Sequence, residues 1–117
     1  MLPARNRMTR SAEFSHTVKH GVRAAQPTLV VHAARCEGAT SPHIGFIVSK
    51  SVGGAVDRHR VSRRLRHVMS DIAGELSPDD RIVVRALPGS RDAASVQLRQ
   101  QVEAGLRRAH RMMDRAR

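Results

Sequence analysis

Aromatic residues are almost missing from this chain. Of 117 residues, Phe14 and Phe46 are the only Phe, and there is no Tyr or Trp. That excludes a surface on which many nucleic-acid bases stack in succession, because each stacked base needs a ring of its own. Cysteine is as scarce: Cys36 stands alone, which rules out a disulfide framework within the chain and any cysteine-rich zinc knuckle, and suits a reducing compartment. The N-terminal MLPARNRMTR lacks the apolar stretch of a signal peptide, and no run approaches the ~18 apolar residues of a membrane span. A cytoplasmic protein without a membrane partner is the expectation. Acidic residues are also few, 10 against 21 Lys and Arg, for a net charge of +11.

What is present follows from that imbalance. A net charge this positive calls for a polyanionic partner, with nucleic acid ahead of an acidic membrane surface. Hydrophobic residues make up 40% of the chain and are clustered, so a folded basic domain is expected instead of a disordered one. The length fits one compact domain over residues 1–117, with residues 1–10, which hold three arginines and a proline, as a flexible basic arm.

Periodicity supplies the elements. Ser11 is placed to cap a helix over about 12–20, with Phe14 and Val18 on one face and Gly21 as its stop. The β-branched run TLVVHAAR at 28–35, the turn-rich EGATSP and the run HIGFIVSK at 43–50 predict an antiparallel hairpin. In its second strand Ile44, Phe46, Val48 and Lys50 share one face, and Gly45, Ile47 and Ser49 the other. Gly53 and Gly54 break that strand ahead of a long helix over about 55–74. RIVVRAL is a further strand, and a last helix over about 92–115 carries Leu98, Val102, Leu106, Ala109 and Met113 as one apolar stripe.

The stretch KSVGGAVDRHRVSRRLRHV, residues 50–68, holds five arginines, two histidines and a lysine. On a helical wheel Val61, Leu65, Val68, Met69 and Ile72 fall within one sector of roughly 100°. His59, Arg60, Arg63, Arg64, Arg66 and His67 take the opposite side, with Arg58 beside the glycine turn. Like charges at i, i+3 and i, i+4 cost a few tenths of a kcal/mol per pair. Asp57 and Asp71 are the only acids near them, so an external polyanion is the economical counter-charge. Guanidinium groups grip phosphate oxygens through two parallel hydrogen bonds, which accounts for Arg over Lys.

At this stretch the sequence resembles the protein subunit of bacterial ribonuclease P. The resemblance rests on Val48, Ser49, Lys50, Val52, Gly53, Ala55, Val56, Arg58, Arg60, Arg63 and Arg66, and is extended by NRMTRSAEFSHTVKHG at 6–21 and DRIVVRALP at 80–88. His59, Ser62, Ser51 and Ala86 depart from the family's usual Asn, Lys, Lys and Arg. The resemblance implies a small α/β (α+β) sandwich: an N-terminal helix, a mainly antiparallel sheet of about four strands, the Arg-rich helix in a left-handed βαβ crossover, and a C-terminal helix. It also implies that a catalytic RNA subunit removes the 5′ leader of precursor tRNA while the protein assists, inactive alone. Lys50, Arg58, His59, Arg60, Arg63, Arg64, Arg66 and His67 would then bind the RNA subunit, with exposed Arg115 and Arg117 mattering much less. Phe14, Val18, Val30, His32, Ile44, Phe46 and Val48 would line the leader cleft, Val18 and His32 standing where the family has aromatics. No cofactor is expected on the protein itself. Magnesium would be held mainly by RNA, and no obligate protein partner is implied.

Two readings compete. His16 and His20 have the i, i+4 spacing of a helical metal pair, yet no Glu lies between them and no third ligand is evident, so an enzyme with its own zinc centre is disfavoured. A ribosomal or general RNA-binding protein shares the basic helix. The ordered Lys-x-x-Gly-x-Ala-Val turn followed by Arg-x-Arg separates it from the ribonuclease P reading.

Overall fold

A computed structural model describes residues 2–116. Three helices, α1 (Ser11–His20), α2 (Ala55–Ile72) and α3 (Ser95–Arg115), accompany four strands, β1 (Val22–Ala25), β2 (Leu29–Arg35), β3 (His43–Ile47) and β4 (Asp80–Ala86). The fold is α+β.

The strand order is β1-β2-β4-β3. The predicted hairpin of the second and third strands therefore does not form: β4 lies between them, antiparallel to β2 and parallel to β3. Burial explains the insertion. β2 and β4 carry unbroken buried runs, LVVHA and DRIVV, that are covered on both faces and take the centre of the sheet. β3, interrupted by Gly45, goes to an edge, and its chain returns through α2 to reach the parallel β4. β1 pairs Arg23 opposite His32 at the other edge.

The basic arm is not free either. Leu2 is in the core, and the Met8 N–H donates to the Ile44 carbonyl at 2.9 Å. Asn6 Nδ2 donates to the Pro42 carbonyl at 3.0 Å, and Arg7 bridges Ile44. Residues 2–8 thus cover the open edge of β3, an edge that would otherwise offer unpaired backbone to other chains. The apolar Leu2 and Met8, placed among three arginines, hold it down.

Alternation divides the sheet between two layers. Leu29, Val31, Ala33, Ile44, Ile82 and Val84 point to one face and form a single core with Val61, Leu65 and Met69 of α2 and Leu98, Val102 and Ala109 of α3. Val30, His32, Val83, Arg85, Gly45 and Ile47 point to the other, which α1 crosses. At Gly45 a Cβ would overlap the Phe14 ring, so glycine is what lets α1 lie this close to the edge strand. Glu13 fixes the helix there: its Oε2 pairs with Arg81 Nε at 3.1 Å and His43 Nδ1 at 2.8 Å.

Candidate nucleic-acid interface

The turn into α2 is set by Gly53, at φ 156°, where a Cβ would come within 2.7 Å of the Asp57 carboxylate. Asp57 sits in the first helical turn, where a negative charge complements the helix dipole. Beyond it, Val61, Leu65, Val68, Met69 and Ile72 are all buried, and the amphipathic face expected from the wheel packs on the sheet. The opposite side is cationic: His59, Arg60, Arg63, Arg66 and His67 are exposed, as is Lys50 before the turn.

Among the described residues none of Arg58, Arg60, Arg63 or Arg66 forms an ion pair, and three of the acids are engaged elsewhere. Asp71 pairs with Arg99 of α3, Asp80 with His110, and Asp114 with Arg35. Two of the expected contacts are only half-exposed. Arg64 turns toward α3 and donates from Nη1 to the Ala93 carbonyl at 3.0 Å, so it ties two segments together instead of facing a partner. Arg58 is half-buried, and its Nε has no protein acceptor.

The second expected site is divided by the sheet. Phe14 and Val18 project from α1 onto the face that carries Val30 and His32, but Ile44 (1% exposed), Phe46 and Val48 belong to the core on the opposite face. A strand's period of two makes this unavoidable, since Gly45, which meets Phe14, and Ile44 cannot share a face. Val30 and His32 are themselves buried, at 0% and 3% exposure. Open beside Phe14 and Val18 is a groove of about 390 Å³ lined by Ser11, Phe14, Ser15, Val18, Lys19 and Ile47. Ile47 and Lys19 were not singled out from the sequence. The odd positions of HIGFI were the signal for Ile47, once the partner of each face was known.

A second depression, of about 260 Å³, wraps the β3 edge and brings Arg7 and Arg66 near Phe14 and Phe46. There Phe14, Phe46, Arg7 and Arg66 line a common surface.

His32 is electrostatically unusual. Both ring nitrogens are buried without a hydrogen-bond partner, and the Nε of Arg85 on the same face is buried likewise. Desolvation, then the charges of Arg85 and Arg23, push the His32 pKa below 6.5. His110 is the converse: its hydrogen bond to Asp80, at 3.1 Å from Nε2 to Oδ2, raises its pKa above 6.5 despite partial burial. The rings of His16 and His20 lie 5.0 Å apart, but among the described residues no three His, Cys, Asp or Glu side chains converge in a way that could hold a metal ion. No described helix is long and apolar enough to cross a membrane.

Comparison with known proteins agrees with this arrangement. The ribonuclease P family model matches residues 2–110. The ribonuclease P protein component of Mycobacterium avium is 58% identical over 112 residues, covering 92% of this chain and 94% of that protein. That of Mycobacterium tuberculosis is 56% identical over 109 residues, with 93% of each covered. Among solved structures, a Staphylococcus aureus RNase P protein superposes with a TM-score of 0.80 at 25% identity, covering 89% of this chain and 94% of that one. The Thermotoga maritima RNase P protein shares the fold, with a TM-score of 0.75 at 20% identity over 87% of this chain and 96% of that one. With the family model matching residues 2–110 and relatives over half identical along nearly the whole chain, this protein belongs to the ribonuclease P protein family.

Proposed function

We propose that the chain is the protein subunit of ribonuclease P, docking through α2 on the catalytic RNA subunit and holding the 5′ leader of precursor tRNA beside α1. The observation that carries this reading is the arginine face of α2: exposed, without acidic partners, and presented by a helix whose other face is locked into the core. Such a face supplies guanidinium forks to a phosphate backbone from a helix already fixed in place, so little protein backbone order has to be created on binding.

Hydrolysis of the leader phosphodiester is the work of the RNA in this reading, and the protein alone is inactive. The magnesium that the chemistry uses is held by RNA phosphates in this reading, and no step is assigned to an ion on the protein, among whose described residues no three His, Cys, Asp or Glu side chains converge on a metal position. The protein's share is electrostatic and steric: cations offset repulsion between two RNAs, and the Phe14 groove offers one ring and apolar walls to an unpaired nucleotide. We place the assembled particle in the cytoplasm.

Discrimination between leader-bearing and leaderless tRNA tests the leader part. Phe14→Ala is expected to reduce the preference for leader-bearing tRNA several-fold, in line with the roughly 1–3 kcal/mol per base carried by a stacking ring. An unchanged preference in a folded variant would remove the ring from the leader site.

A further inference from the structure

The cations of α2 do not exhaust the basic surface of this protein. Arg107, Arg108, Arg111 and Arg115 are exposed on α3. At 100° per residue they fall within an arc of about 100°, on the side away from the buried Leu98, Val102, Ala109 and Met113. The i, i+4 pairs Arg107–Arg111 and Arg111–Arg115 repel one another. Of the nearby acids, Asp114 pairs with Arg35 of β2 at 2.7 Å, and half-buried Glu103 lies one turn before Arg107 on the flank of the arc. Among the described residues none of the four arginines forms an ion pair.

The two basic faces lie in one layer but at different ends. Arg64 meets Ala93 and Asp71 meets Arg99, so α2 and α3 run side by side in the same sense. From Arg99, Arg111 is about 18 Å further along the axis, past the end of α2. The molecule is 38 Å in its longest dimension, so the two arginine groups sit toward opposite ends of it, with the Asp71–Arg99 pair between them.

We propose that Arg107, Arg108, Arg111 and Arg115 form a second seat for the phosphate backbone of the same RNA subunit that docks on α2, an assignment that rests on the function proposed above. Charge complementarity selects a polyanion. A bilayer is disfavoured because the apolar side of α3 is consumed by the core. The leader is disfavoured because α1 and its groove lie across the sheet from α3. A large folded RNA reaches both ends of one layer. The seat revises the expectation that Arg115 contributes little; Arg117 lies outside the described residues.

The test compares three proteins, wild type, Arg107→Gln/Arg111→Gln/Arg115→Gln and Arg60→Gln/Arg63→Gln, binding ribonuclease P RNA and, separately, precursor tRNA over a range of salt. The α3 variant is expected to keep its circular dichroism and to lower the salt slope for ribonuclease P RNA by roughly 2 to 3, at ~0.7–0.9 per lost phosphate contact. Between about 50 and 200 mM salt its affinity should then fall roughly 20- to 40-fold less than that of wild type. The corresponding triple Lys variant should retain most of the slope. An unchanged slope in the α3 variant beside a reduced one in the α2 variant would overturn the second seat and leave the proposed function standing. Slopes unchanged in both would instead overturn the docking role of α2. A slope lost only toward precursor tRNA would assign α3 to the substrate and refute the seat as stated.

Discussion

The two faces of the sheet handle their polar groups in opposite ways, and the difference separates docking from fitting. Beside α2 the apolar residues are sealed inside and the guanidinium groups stand in solvent, so cations and core are segregated on one helix. Beneath α1 they are mixed: Arg81 and His32 are buried, Arg85 is half-buried, and Phe14 rests on Gly45 at the sheet edge. The first surface offers charge with little shape. The second, where Glu13 ties α1 to β3 and β4, is shaped first and charged second.

The most damaging way to break this contrast is to remove the inner half of α2. Leu65 is fully buried, and Leu65→Ala should cost about 2–5 kcal/mol, a large share of the stability of a domain this size, read as a fall in the denaturation midpoint. RNA binding should be lost only to the extent that the protein unfolds, which binding measured below the new midpoint would show. The outer half predicts the reverse. Arg60→Ala with Arg63→Ala should leave stability within about 0.5 kcal/mol and reduce the salt slope of RNA binding by roughly 1.4–1.8. A large stability loss there would mean that the two halves are not separable.

Arg64 sharpens the line between them. Its hydrogen bond to Ala93 gives Arg64→Ala a stability cost of about 1–2 kcal/mol and a smaller effect on RNA affinity than Arg60→Ala. Equal RNA effects would return Arg64 to the docking face.

The smallest effect is in pH. The raised pKa of His110 stabilises the fold fully below 6.5, and that contribution is lost as pH rises through the folded-state value. His32, with its lowered pKa, contributes stability that is present above 6.5 and lost as pH falls through its folded-state value. In melting curves from about pH 5 to 9, His110→Gln should therefore differ most from wild type on the acid side and converge with it on the alkaline side. Convergence in the opposite direction would refute the Asp80 pairing.

How much of this was readable beforehand depended on what kind of force set each feature. The helices were legible because their faces are local: Val61, Leu65, Val68 and Met69 recur at the helical period, and α2 and α3 end close to where that period ends. Strand neighbours were not, because the choice between β2 and β4 as the partner of β3 is made by burial on both faces, which adjacency in sequence does not encode. The split of the leader residues follows from the same gap. Ile44 and Phe46 were correctly placed on one face of their strand, yet nothing local to HIGFI says that α1 lies on the other. The pinned N-terminus was hidden by composition, three arginines drawing attention from Leu2 and Met8. The arginine arc of α3 was visible in the sequence but is informative only once Asp114 and Asp71 are seen to be engaged elsewhere.

Cleavage of a precursor tRNA by ribonuclease P RNA at low magnesium, with and without this protein and with a protein-only control, tests the central claim most directly. The account predicts strong stimulation at the mature 5′ end and no cutting by the protein alone. Tight RNA binding without stimulation would contradict it and move the chain to the general RNA-binding proteins.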